Sequence, residues 1–144
     1  MSASYAFDGS WYVDAPAAEV AATIVDLERY PEWWPQVRAV ASLGPDDAWV
    51  VCRSALPYSL DLVLHAVSRD APVLEVAVSG DLDGYVRWRL SDEGPGTRMD
   101  LEQEVTVTGL LGVASYALRP VLRWNHHRMI ESCVAGLRKR LNAG

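Results

Sequence analysis

The feature that most restricts the fold is a change of hydrophobic period along the chain. Between Val37 and Thr108, apolar residues recur in short alternating runs divided by the turn-forming stretches SLGPDD, SALP, SRDAP, SGDLDG and SDEGPG. From Pro120 to Leu141 the repeat lengthens to that of a helix. Side chains alternate across a strand but return to one face of a helix every three or four residues, so the two stretches need different elements. Turn signals at this spacing mark consecutive antiparallel hairpins, with predicted strands over 37–42, 48–55, 58–67, 73–79, 84–91 and 97–108.

Ahead of these, SYAFDGSWYVD alternates Tyr5, Phe7, Trp11 and Val13 with Asp8, Ser10 and Asp14, which predicts a first strand over 4–14. APAAEVAATIVDL opens with Pro16 at a helix start and spaces Val20, Ile24 and Leu27 by three and four, which predicts a short helix. In ERYPEWWPQV, Pro31 and Pro35 forbid a continuous helix and bracket Trp33 and Trp34, so a second helical turn and a bend are expected. The predicted order is β, α, α, six β, then one long α.

Register supports the last hairpin. With Trp88 opposite Leu101, Leu90 meets Met99 and Val86 meets Gln103 on one face, while Arg87 meets Glu102 and Arg89 meets Asp100 on the other. One face is therefore directed to the core and the other to water, with Gln103 as a polar exception on the apolar side. Placing the last helix at 100° per residue puts Leu122, His126, Met129, Ile130, Cys133, Leu137 and Leu141 on one arc, with His126 near its centre. Trp124, Arg128 and Glu131 fall outside. A one-faced sheet and a one-striped helix bury those surfaces against each other. A histidine and a glutamine fill a dry core poorly, since each unpartnered buried polar group costs about 1–3 kcal/mol. Both fit the wall of an internal cavity between sheet and helix.

The 144 residues, half of them apolar, suffice for one core, and a single domain over 1–144 is expected. A net charge of −6 leaves no source for phosphate neutralisation, so no nucleic-acid partner is expected. The basic group Arg138, Lys139 and Arg140 complements a helix C-terminus. No run of 18 apolar residues is present, and the first thirty residues carry acids and turn formers where a signal peptide needs a basic start and an apolar centre. A soluble, cytoplasmic protein is expected. Cys52 and Cys133 lie far apart without metal-ligand spacing, and His127 points about 100° away from His126, so neither a disulfide framework nor a metal site is expected. GPGT lacks a nucleotide-binding pattern, DLDG lacks the glutamate of a calcium loop, and no GxSxG elbow occurs; no cofactor is indicated.

The stretches DAPAAEV, DLERYPEWWPQV, GDLDGYVRWRL with GTRMDLEQEV, and RWNHHRM with GLRKRL occur in an order that resembles the START-like, or SRPBCC, superfamily in its polyketide cyclase/dehydrase branch. The resemblance spans nearly the whole chain. It implies an α+β helix-grip fold: a curved antiparallel sheet of about seven strands wrapped round a long C-terminal helix, with two short helices after the first strand and a deep cavity between. It also implies binding of apolar molecules such as lipids or polyketides, with some members catalysing cyclisation or aromatisation.

Candidate cavity residues are His126, Gln103, Trp88, Leu101, Trp11, Ile130, Arg123 and Trp33. His126 has three open readings: a general acid or base, a polar anchor for a ligand, or a structural histidine bonded to a neighbour. Gln103 is equally a pocket residue or a satisfied core amide, and Arg123 presents a cation or snorkels to water. Of Trp33 and Trp34, one plugs the core while the other closes the pocket mouth. Tyr58, Leu60, Leu62 and Leu64 share one strand face and are expected to be mostly core. The apolar segment Leu110 to Leu118 is either packing or dimer contact, or a lid that touches a membrane transiently. Carriage of a small hydrophobic molecule is ranked above aromatase/cyclase or dehydratase chemistry, because no carboxylate pair, activated nucleophile or metal cluster is visible. Either a monomer or a homodimer fits.

Overall fold

A computed structural model describes residues 2–53, 59–108 and 119–141. Strand β1 (Ser2–Val13) leads to helix α1 (Ala17–Val25), a 3-10 turn at Leu27–Arg29 and the one-turn helix α2 (Tyr30–Trp33). Six strands follow: β2 (Val37–Ser42), β3 (Asp47–Cys52), β4 (Leu60–Ser68), β5 (Val73–Gly80), β6 (Asp83–Glu93) and β7 (Gly96–Thr108); helix α3 (Arg119–Arg140) comes after them. The order and type of the elements match the sequence expectation, and their ends differ by at most three residues. Tyr58, residues 54 and 55 of the predicted second hairpin strand, and the segment Leu110 to Leu118 lie outside the described residues.

All seven strands form one curved antiparallel sheet in the order β1-β7-β6-β5-β4-β3-β2. The predicted register of β6 and β7 holds at every pair, including Trp88 opposite Leu101 and Val86 opposite Gln103. On the outer face Arg87 pairs with Glu102 at 3.1 Å, as expected, and also with Glu75 at 2.6 Å. Asp100 pairs instead with Arg98, at 3.1 Å, rather than with the opposite Arg89. Such solvent-facing pairs contribute little to stability. Successive pairings align Phe7, Gln103, Val86, Val76 and Ala66 as one row across the inner face. The neighbouring row runs Gly9, Leu101, Trp88, Leu74.

Helix α3 lies across this inner face and is held most firmly over its C-terminal half. Ile130, Cys133, Val134 and Leu137 are buried there, with Val134 and Leu137 fully so. One ridge of the helix meets α2 and the residues after it. Trp34 Nε1 donates to Met129 O at 3.1 Å, Gln36 Nε2 donates to Ser132 Oγ at 3.0 Å, and Arg140 pairs with Glu32 at 2.9 Å. The opposite ridge meets β1: Trp11 Nε1 donates to Glu131 at 3.1 Å, and the Arg138 guanidinium donates to Tyr12 O at 2.7 and 3.2 Å. Val134 lies on this second ridge. Its burial was missed by the single-stripe reading because the helix is gripped from its flanks as well as from beneath.

Gly136 makes the α2 contact possible, because a Cβ at this position would stand 1.9 Å from Trp33 O. A glycine in mid-helix normally costs about 1 kcal/mol relative to alanine; here the lost propensity is offset by close approach. No described helix is long and apolar enough to cross a membrane.

Gly136→Ala is therefore predicted to destabilise the protein by about 1–3 kcal/mol, the usual penalty for forcing extra volume into a packed site, although helix propensity alone favours alanine. A lower urea midpoint for the variant is the expected result; a raised midpoint contradicts the close contact.

Candidate functional site

Where α3 leaves the grip of α2, the curved sheet and the N-terminal half of the helix diverge and enclose a cavity of about 390 Å³. Its floor is the inner face of the sheet. Leu60, Leu62 and Leu64 of β4 line it, as do Val76, Val86 and Trp88. The sequence reading placed the β4 leucines mostly in the core; they are partly buried and face this space. From the helix, Leu122, Asn125, His126, Met129 and Ile130 form the roof. The exposed lining residues belong to three turns, Val25 to Glu28, Gly44 to Asp46, and Arg69, and mark where the cavity meets solvent.

The two polar residues singled out in the sequence lie together. His126 Nε2 and Gln103 Oε1 are 2.7 Å apart, and both side chains line the cavity. An amide oxygen only accepts, so the imidazole proton sits on Nε2 and donates to Gln103. The other side of the ring stacks on Phe7, with centroids 3.6 Å apart and planes 14° from parallel. Burial, reinforced by the nearby positive charge of His127 and Arg123, lowers the His126 pKa from 6.5 to about 4. The ring is neutral at physiological pH.

Most other interior polar groups are partnered, with Gln36 Oε1 a buried exception among the described residues. The Tyr30 hydroxyl donates to Ile24 O, and burial raises its pKa well above the ordinary phenol value. The Trp34 indole donates to the helix carbonyl of Met129. Ser68 Oγ donates to Val73 O at 2.7 Å. Cys52 borders the cavity, but burial pushes its thiol up to about 11, so it remains protonated and is no ready nucleophile. Cys133 is buried and likewise raised, to about 12; both cysteines are free. Among the described residues no group of three or more His, Cys, Asp or Glu could hold a metal ion.

The eight candidates separate into two sets. His126, Gln103, Trp88 and Ile130 come together on the cavity wall. Trp11, Leu101 and Arg123 do not line it; they border a second groove on the other side of His126, where the Trp11 ring folds back over Gly9 and its indole reaches Glu131. Leu101 is buried, and Arg123 lies over the Tyr5 and Phe7 rings at 5.7 and 5.6 Å. Trp33 is packed in the core at 8% exposure, edge-on to Tyr30, whereas its neighbour Trp34 reaches the cavity. The two tryptophans thus divide as expected, but with Trp34 rather than Trp33 at the pocket. Phe7 was the main omission, because its place under His126 depends on the β1–β7 pairing.

The family model described as "Polyketide cyclase / dehydrase and lipid transport" matches residues 6–142. No curated protein sequence matches the chain. Among solved structures, a Thermus thermophilus protein is 19% identical with a TM-score of 0.83, covering 95% of this chain and 97% of that one. A START superfamily protein from Mycobacterium smegmatis is 17% identical with a TM-score of 0.78 over the same shares. The Zhui aromatase/cyclase from Streptomyces is 13% identical with a TM-score of 0.75, covering 97% of this chain and 94% of that one. At these identities the likeness is one of fold.

The lowered His126 pKa predicts a pH-dependent stability with a definite sign. Above pH 6.5 the imidazole is neutral whether the chain is folded or not, so its contribution is intact; as pH falls from 6.5 toward about 4, only the unfolded chain takes up the proton and stability is lost. The full loss is on the order of 3 kcal/mol, from 1.36 kcal/mol per pKa unit. Urea unfolding at pH 7.5 and 4.5 should show a smaller acid loss in His126→Phe than in the wild type. An imidazole that titrates near 6.5 by NMR contradicts the buried, neutral assignment.

Proposed function

The chain belongs to the polyketide cyclase/dehydrase and lipid transport family, and from that membership together with its cavity we propose that it binds a small hydrophobic molecule between the sheet and α3. The observation that carries this reading is a mostly apolar cavity of about 390 Å³ in which the His126 ring, the Tyr30 hydroxyl and the Trp34 indole already donate to protein acceptors. Ligand pockets of roughly 300–1,000 Å³ with mostly apolar walls and a few fixed polar groups are the usual form of small-molecule sites. A guest entering here leaves those three donors bonded, so most of the gain from burying its apolar surface, at about 25 cal/mol per Å², is kept.

The same features favour binding over acid–base catalysis in this pocket. A general base works best with a pKa near the working pH, and an imidazole held at about 4 is a weak one. Nearby Arg123 and, when protonated, His127 disfavour the imidazolium form, whereas a proton-transfer role calls for a group that stabilises it. Cyclase or dehydratase chemistry remains the alternative, and substrate turnover is what would establish it.

Titration with the neutral fluorescent probe N-phenyl-1-naphthylamine tests the reading. Saturable binding to the wild type is expected, with affinity reduced at least about tenfold, or 1.4 kcal/mol, in a Leu62→Trp/Leu64→Trp variant whose indoles fill the floor of the cavity. Equal binding to both proteins, with the variant folded by circular dichroism, would contradict it.

A further inference from the structure

The charges around the cavity are unevenly distributed, and this restricts the chemistry of the guest. Asp26, Glu28, Asp46 and Asp47 line its mouth against a single guanidinium, that of Arg69. Arg69 is already paired with Asp46 at 2.9 Å, Asp26 with Arg29 at 3.1 Å, and Asp47 meets the His65 ring at 2.8 Å, which leaves the rim mildly acidic. Residues 1, 54–58, 109–118 and 142–144, outside the described set, bring no charged side chain. Arg119 and Arg123 lie over the Tyr5 and Phe7 rings, and neither lines the cavity. A ligand carboxylate would thus pass an acidic rim and arrive at an apolar interior with no cation on its wall.

Resting on the binding role proposed above, we infer that the guest is an uncharged molecule carrying an acceptor oxygen, a ketone, ether or hydroxyl, seated against the Gln103 amide, and that carboxylate-bearing molecules of the same size are excluded. Gln103 uses Oε1 to accept from His126. The side chain lines the cavity, and its NH₂ group, with two hydrogens, has no partner among the described residues, so it is the donor that a guest oxygen can take up. The neutral state of the His126 ring agrees with this, since an imidazolium would have supplied the cation that an anion needs. An isolated ionised carboxylate moved into apolar surroundings loses far more solvation than a neutral oxygen does. The rim charges act in the same direction, lowering the local concentration of anions.

Competition at pH 7.5 against bound N-phenyl-1-naphthylamine tests this with 2-naphthol, which is neutral, and 2-naphthoate, which is anionic and of similar size. The expected result is displacement by naphthol at a concentration at least about tenfold below that needed for naphthoate. In Gln103→Leu, naphthol affinity should fall about 3- to 10-fold, the range of a single hydrogen bond, with circular dichroism as the check on folding. Naphthoate competing as well as naphthol, naphthol failing to compete, or Gln103→Leu binding naphthol like the wild type would each overturn the inference and leave the cavity reading standing. Failure of the probe itself to bind the wild type would overturn both.

Discussion

The cavity exists because α3 is gripped unevenly. Over its C-terminal half it is tied to α2 on one flank and to β1 on the other, and Gly136 lets the backbone of Trp33 approach within a distance that any side chain would prevent. Over its N-terminal half its contacts with the sheet include the Phe7–His126–Gln103 stack, the two arginines over Tyr5 and Phe7, and Leu122 against Tyr5, Val105 and Val107. Since interiors otherwise pack to near-crystalline density, a space of about 390 Å³ persists only where something fixes the surrounding elements independently of filling it. The flanking grip does this.

The polar residues of the interior follow from that arrangement. A helix held apart from the sheet still needs a strut at its free end, and a His126–Gln103 hydrogen bond stacked on an aromatic ring is stiff, directional and neutral. The bond satisfies His126 Nε2 and Gln103 Oε1 in low-dielectric surroundings, and leaves the Gln103 NH₂ group as the donor open to a guest. Its neutrality also sets the electrostatic character of the space, which the acidic rim then reinforces. Strut and specificity element are the same two side chains.

Much of this was legible in the sequence. The change of period at the end of the hairpins gave the element order, and the polar–apolar matching of β6 against β7 gave a register that holds residue by residue. The helical arc placed His126 inward, and Gln103 stood out as the one polar residue on an apolar face. What could not be read were contacts between segments distant in the chain. The pairing of β1 with β7 brings Phe7 beside Gln103, and no local pattern encodes it. Likewise, Trp33 and Trp34 are interchangeable by composition; only the direction in which α2 meets α3 sends the first into the core and the second to the cavity. Trp11 and Leu101 fell on the correct face but at the end where helix and sheet close together, so they pack or border a groove rather than line the hollow.

The most direct test of a guest-holding space between sheet and helix is the set of NOEs between bound N-phenyl-1-naphthylamine and assigned side chains of the protein. An occupied cavity predicts cross-peaks from the probe to Leu62, Val86 and Gln103 beneath it and to Leu122 and Met129 above, all of which line the space. Cross-peaks confined to the exposed indoles of Trp49 and Trp124, with none to those five residues, would show that hydrophobic molecules merely adhere to the outer surface.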